Sequence, residues 1–176
     1  MTDDWNVDLW EAINSCPVCG NQDFVPAAGN KKSDVLLVGE FPGDEEIKRG
    51  IPMIGPMGRV LRTELGVLGV DMKAFRRMNV WFHPKNDNLQ CFEYGVEQVV
   101  KEAKGKRVIL LMGDEVVKYF TGKQVSKVCG LQVQSDYFSC PHIFACINPA
   151  QVFQRGHGVG EIRLALSKFV KEINNA

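Results

Sequence analysis

Residues 34–46 read DVLLVGEFPGDEE, and the way this stretch divides decides the fold. DVLLV is an apolar run of the kind that forms a strand buried on both faces. The residues after it are not ordinary loop: Gly39, Glu40, Phe41, Pro42 and Gly43, then further acids. Two glycines let the main chain approach a bound group closely. Glu40 falls at the carboxyl end of the strand, where open α/β sheets bind ligands. The first strand is therefore placed at about residues 34–38.

The rest of the chain is consistent with that start. KRGIPMIGPMG (48–58) is interrupted by Gly50, Pro52, Gly55, Pro56 and Gly58 and reads as loop. GRVLRTELGVLGV (58–70) reads as a helix frayed by Gly66 and Gly69. MNVWF (78–82) is a second strand ending at Pro84, and GVEQVVKEAKG (95–105) a helix closed by Gly105. RVILLMG (107–113) is a third strand, again ending at a glycine, after which Asp114 is placed to cap the helix EVVKYF. GLQVQSDYFSC (130–140) suits a β-hairpin or an irregular flap. HIFACINPA (142–150) holds a fourth strand that ends in Asn148-Pro149. GEIRLALSKFVKEI is a terminal amphipathic helix with Ile162, Leu166, Phe169 and Ile173 on one face. Short apolar strands alternating with helices predict a three-layer α/β/α fold around a four-stranded parallel sheet. One domain is expected over residues 1–176. Residues 1–33, an amphipathic helix at 5–15 and a cysteine knuckle, would pack on it.

Composition narrows the function only slightly. The chain has 176 residues, 45% apolar and 24% charged, with 21 basic side chains balancing 21 acidic ones. Net charge thus argues neither for nor against nucleic acid. No apolar run approaches ~20 residues, so no membrane span is expected. The start, MTDDWNVDLWEA, is acidic where a signal peptide is basic, which predicts an intracellular, cytoplasmic protein. With no secretion signal, the six cysteines do not suggest a disulfide framework. Cys16-Pro-Val-Cys19-Gly20 has the spacing of a metal knuckle, with Gly20 closing the turn, although a CxxC also serves as a redox pair. Cys129, Cys140 and Cys146 read as small core or loop residues, and His142 and His157 as a strand and a loop histidine.

The stretch GEFPGDEEIKRGIPMIGPMGRVL resembles the first motif of the uracil-DNA glycosylase superfamily, above all its iron–sulfur type 4 enzymes. RMNVWFHP is similar to the strand carrying the asparagine that reads uracil. INPAQVFQR is similar to the motif ahead of the family's wedge loop. CPVCG stands where the first two cluster cysteines belong.

The resemblance implies a chemistry with named parts. A glycosylase extrudes a base from the stack, holds it, and delivers water to the sugar carbon left behind. Glu40 would orient that water and offset positive charge on the sugar; its other reading is a loop acid capping the next helix. Asn79 offers donor and acceptor atoms to a pyrimidine edge, or is a strand asparagine satisfied by backbone. Gly39, Phe41, Pro42, Gly43 and Met53 would line the base site, with amides of the Gly43 turn facing a phosphate or a base carbonyl. Glu45 and Glu46 read as a solvated face. Asn148 occupies the position of a family histidine that donates to the base carbonyl, and Met53 that of an aromatic ring that stacks on the base. Pro149, Ala150, Phe153, Gln154 and Arg155 would meet DNA, Phe153 as a wedge and Arg155 on phosphate. Lys48-Arg49 and Arg76-Arg77 add positive charge, and Arg76-Arg77 read equally as solvated helix surface.

The family's Lys-Cys-Arg-Pro element is here Trp81-Phe82-His83-Pro84, without its cysteine. Cys16, Cys19, His83 and Cys91 form the candidate metal set, for a 4Fe–4S cluster with one histidine ligand or for zinc. The expected partners are DNA, single- or double-stranded, and a replication or repair protein, with the chain itself a monomer. The activity expected is hydrolytic removal of uracil or a related pyrimidine. The alternative is a protein of the same fold that binds DNA or a repair partner without catalysis.

Overall fold

A computed structural model describes residues 14–153 and 158–175. The helix expected at 5–15 lies almost wholly outside them. The core is a five-stranded sheet in the order β2-β1-β3-β5-β4, with β1 at Val35–Gly39, β2 at Arg76–Asn79, β3 at Val108–Met112, β4 at Gln132–Val133 and β5 at His142–Cys146. The four strands foreseen are parallel to one another. The fifth, β4, is a two-residue antiparallel edge on β5, drawn from the stretch read as a hairpin or flap. It is too short to show the alternation that marks a strand.

The helices are α1 (Asp44–Arg49), α2 (Pro56–Val67), α3 (Leu89–Glu102), α4 (Asp114–Thr121), α5 (Val125–Val128) and α6 (Val159–Asn174). α2 and α6 pack together, and α6 also lies on β3 and β5. α3 and α4 pack on β2 and β3. Right-handed crossovers put the connection β1→β2 on one face and β2→β3 on the other, because they run in opposite directions across the sheet. The strand order therefore reverses between β1 and β3, and the crevice of such a sheet opens at their carboxyl ends.

β1 and β3 are buried throughout, which is why they read as unbroken apolar runs. Ile162, Leu166 and Phe169 of α6 are fully buried, as their spacing predicted. The exposed face of α6 contributes Arg163, whose guanidinium meets the buried Glu64 of α2 at 2.6 Å. No helix among the described residues is long and apolar enough to cross a membrane.

Several local expectations are corrected. The segment 48–58 is only partly loop: Lys48 and Arg49 finish α1, and α2 starts at Pro56. The second strand begins two residues earlier than MNVWF and stops at Asn79. Asp114 is the first residue of α4, whose N-cap is Gly113. Arg76 and Arg77 supply no surface charge, because both are buried in β2. Arg76 reaches Glu102 through two bonds of 3.0 and 3.2 Å, and Arg77 Nη1 donates to the Met72 carbonyl. Burial, with Arg76 beside it, lowers the Arg77 pKa to about 10.

Glu46 is not on a solvated face either. It is 5% exposed, and its carboxylate accepts the N–H of Gly55 at 2.8 Å and of Gly43 at 3.2 Å. One side chain thus fixes the two ends of the α1 excursion. It also engages the Gly43 amide that had been a candidate for a ligand. Its neighbour Glu45 is exposed and pairs with Arg59.

Candidate functional site

Glu40 leaves β1 at the reversal of strand order and turns toward the start of α4. Its Oε1 accepts the Glu115 N–H at 3.0 Å, and its Oε2 lies 3.4 Å from Asn148 Nδ2. Two glycines make this arrangement possible. Gly113, at φ +104, has a conformation that side chains resist, and a Cβ there would lie 2.3 Å from Glu40 Cδ. A Cβ on Gly39 would lie 2.5 Å from Asn79 Oδ1. Asn79 pairs with Gly39 across β1 and β2, so the asparagine amide sits beside the residue that precedes Glu40.

The Asn79 amide has an unusual balance. The residue is 2% exposed, and its Oδ1 has no hydrogen-bond partner among the described residues. Buried acceptors are seldom left so, and each one that is calls for an explanation. Met53 is buried close by, its Cε and that of Met57 lying 3.4 and 3.3 Å from the Cβ position of Gly39. Met53 holds φ +61, a left-handed conformation that costs a non-glycine residue about 1–3 kcal/mol. Strain of this kind persists where the surroundings over-determine the chain.

Glu40, Asn79, Asn148, Gly39 and Met53 therefore share the carboxyl edge of the sheet. Phe41 beside them is 48% exposed, while Pro42 is buried. Pro149 and Ala150 begin a 3₁₀ turn that runs to Phe153, and the Asn148 Oδ1 accepts the Ala150 N–H at 3.0 Å. The Phe153 side chain, Gln154 and Arg155 lie outside what is described. Sequence reasoning missed Gly113 and Glu115 as parts of this site. Gly113-Asp114-Glu115 after β3 repeats the strand–glycine–acid order of Val38-Gly39-Glu40, and that repetition was the available signal.

A second cluster sits where the N-terminal arm meets the chain beyond β2. The ligand atoms of Cys16, Cys19, His83 and Cys91 all lie within 4.8 Å of one another. The knuckle closes through the Gly20 N–H to the Cys16 carbonyl at 2.8 Å. Phe24 stacks on Phe82 at 5.2 Å, which anchors the arm beside His83. Cys91 is in the first turn of α3, which Asn88 caps by accepting the Gln90 N–H. His83 Nδ1 lies 2.7 Å from the Pro84 carbonyl, an acceptor only, so that nitrogen carries the proton. Nε2 is left as the ligand atom and faces Cys19 Sγ at 3.6 Å. Burial and the crowding of Cys19 and Cys16 push the Cys91 thiol up to about 12. The Cys19 thiol also feels burial, but hydrogen bonds from the Asn21 backbone and the two neighbouring thiols outweigh it and lower its pKa. This group is able to bind a metal.

The chain thus folds as an open α/β sheet with a carboxylate and two asparagine amides at its reversal point, where sheets of this kind bind ligands. The chain belongs to the uracil DNA glycosylase superfamily, whose profile matches residues 26–176. It is 30% identical over 118 residues to a type-4 uracil-DNA glycosylase of Archaeoglobus fulgidus, covering 60% of this chain and 58% of that one. It is 38% identical over 115 residues to the type-4 enzyme of Pyrobaculum aerophilum, covering 58% of each. To that of Sulfurisphaera tokodaii it is 38% identical over 126 residues, 64% of this chain and 56% of the relative. The chain thus spans a little under three fifths of the length of these three relatives.

Proposed function

We propose that the protein is a DNA glycosylase that hydrolyses the bond between uracil, or a related pyrimidine, and deoxyribose. The observation that carries this reading is the convergence of Glu40, Asn79 and Asn148 on one sheet edge. The unpartnered, buried Asn79 Oδ1 is matched to the N3–H of an extruded pyrimidine, and its amide N–H to the O4 of uracil. Glu40, held on one oxygen by the Glu115 N–H, keeps lone pairs for a water aimed at C1′. As the N1–C1′ bond breaks, its electron pair leaves with the base, and positive charge grows on the sugar. The carboxylate offsets that charge and takes a proton from the attacking water, whose oxygen bonds to C1′. The Asn148 amide is a neutral donor for the departing base carbonyl. The residues after Asn148 bear on DNA.

We assign a metal to Cys16, Cys19, His83 and Cys91. Thiolates and imidazole suit either zinc or an iron–sulfur cluster. A single zinc with bonds of about 2.3 Å sets its sulfur ligands about 3.8 Å apart. The Cys16–Cys91 separation is 3.9 Å and the Cys19–His83 separation 3.6 Å, so the spacing favours one ion. Such a centre would tie the arm to α3 and to the chain after β2.

The test is incubation with single- and double-stranded oligonucleotides carrying one uracil, followed by alkaline cleavage of abasic sites. Strand breaks that Glu40→Ala abolishes are the expected result. Absence of breaks, with tight and salt-sensitive binding, would favour the second reading, a DNA-binding protein. Asn148 and Met53, standing where the family has a histidine and an aromatic, are the features that favour it.

A further inference from the structure

The grip on Glu40 continues through Trp81 and Glu115. The Trp81 N–H donates to the Glu40 carbonyl at 2.8 Å. The Trp81 indole Nε1–H donates to Glu115 Oε2 at 3.0 Å. The Glu115 N–H donates to Glu40 Oε1 at 3.0 Å, which closes a ring of three bonds. Trp81 is 2% exposed, so this donor depends on its protein partner rather than on water. Lys85 Nζ occupies the other Glu115 oxygen at 2.8 Å. The Glu115 carboxylate is therefore engaged on both oxygens and is not itself placed as a base.

We infer that Trp81 and Glu115 are positioning residues for Glu40. The indole–carboxylate bond draws the first turn of α4 onto the end of β1, and the Glu115 amide then selects the rotamer of the Glu40 carboxylate. The contact on the other oxygen, 3.4 Å from Asn148, is too long to do this alone. The free amide ends at a helix start also favour an anion there. Gly113 is the necessary gap, since a side chain would occupy the space of the Glu40 carboxyl group. The inference rests on the reading of Glu40 as the group that orients the attacking water.

A ring that serves stability alone is the competing role, and kinetics separates the two. Trp81→Phe removes the donor while keeping an aromatic ring against Phe92, now 5.5 Å from the indole. Glu115→Ala removes the acceptor; Glu115→Gln keeps one for the indole. Each is measured by single-turnover excision and by steady-state kinetics on a uracil oligonucleotide, beside thermal melting. Because small misplacements of a reacting group are costly, Trp81→Phe and Glu115→Ala are expected to lower kcat by about 10- to 100-fold with KM within about twofold. Glu115→Gln is expected to recover most of that loss, to within about threefold of the unaltered protein. Wild-type kcat in Trp81→Phe and Glu115→Ala, with only the melting temperature lowered, would overturn the inference. So would equal losses in Glu115→Ala and Glu115→Gln. If Trp81→Phe does not fold, the two Glu115 variants decide. An unaltered protein that releases no base overturns the glycosylase reading itself, a different outcome from an active protein indifferent to these changes.

Discussion

The Glu40 crevice and the thiol corner share the stretch of chain from Asn79 to His83 and are held in opposite ways. Asn79 and Trp81 serve the crevice, and His83, two residues further on, serves the thiols. In the crevice, unlike groups meet: a carboxylate accepts an amide N–H and lies near an asparagine nitrogen, and glycines give it room. In the thiol corner, like groups meet. Three sulfurs and an imidazole nitrogen crowd within 4.8 Å, joined by contacts of 3.9 and 3.6 Å that thiols make only weakly. In the crevice the Glu40 carboxylate is held by the chain's own donors, and among the described residues the buried Asn79 acceptor has no partner. The corner is a ligand set suited to a shared cation. The crevice is thus shaped by backbone turns and the Trp81–Glu115 bond, whereas the N-terminal arm is anchored by aromatic stacking and by the metal proposed for Cys16, Cys19, His83 and Cys91.

The largest expected effect separates the two corners at once. Glu40→Gln keeps the shape of the side chain, so excision is expected to fall by about 10³-fold or more while melting stays nearly unchanged. Comparable loss of fold would mean that Glu40 holds the crevice together rather than acting in it. Metal removal should do the reverse. Purified protein is expected to carry one zinc per chain and to be colourless, and Cys16→Ser should lower the melting temperature by about 10 °C or more. Elemental analysis and calorimetry measure both; a brown protein with stoichiometric iron would replace the single ion by a cluster.

A smaller change sharpens the crevice. Asn148→His offers a donor that can carry charge to the departing base, and is expected to raise kcat by about tenfold. An unchanged rate would mean that the amide already meets the need. The smallest effects contrast two adjacent acids. Glu46→Ala leaves the Gly43 and Gly55 amides without their acceptor and should cost about 1–3 kcal/mol in denaturant unfolding. Glu45→Ala breaks only an exposed pair with Arg59 and should cost about 0.5 kcal/mol or less.

These acids also mark how far the sequence could be read. The strand, Gly39, Glu40 and the parallel sheet were legible because a buried apolar run ending in glycine and acid is a local signal. Asn148 was legible as a polar residue at a strand end, and Asn79, expected inside the second strand, through the resemblance of RMNVWFHP; the strand in fact ends at Asn79. Glu46 was not, because its partners are amides brought back by a loop, and nothing in the order GDEEIK distinguishes it from Glu45. Arg76 and Arg77 were misread for a similar reason: two adjacent cations suggest surface, and only the packing of Glu102 and the Met72 carbonyl against β2 explains their burial. Cys91 was found from the resemblance, as the cysteine eight residues beyond His83, but its closeness to His83 depends on where the Asn88 cap starts α3.

Glu40 is proposed to direct water to C1′ of an extruded pyrimidine nucleotide. The direct measurement is excision from a uracil oligonucleotide in ¹⁸O-labelled water, with mass spectrometry of both products. Free uracil without the label and an abasic sugar carrying it are expected, with both products reduced about 10³-fold or more in Glu40→Gln. Uracil release by Glu40→Gln at the rate of the unaltered protein, or no release from the unaltered protein, would contradict it.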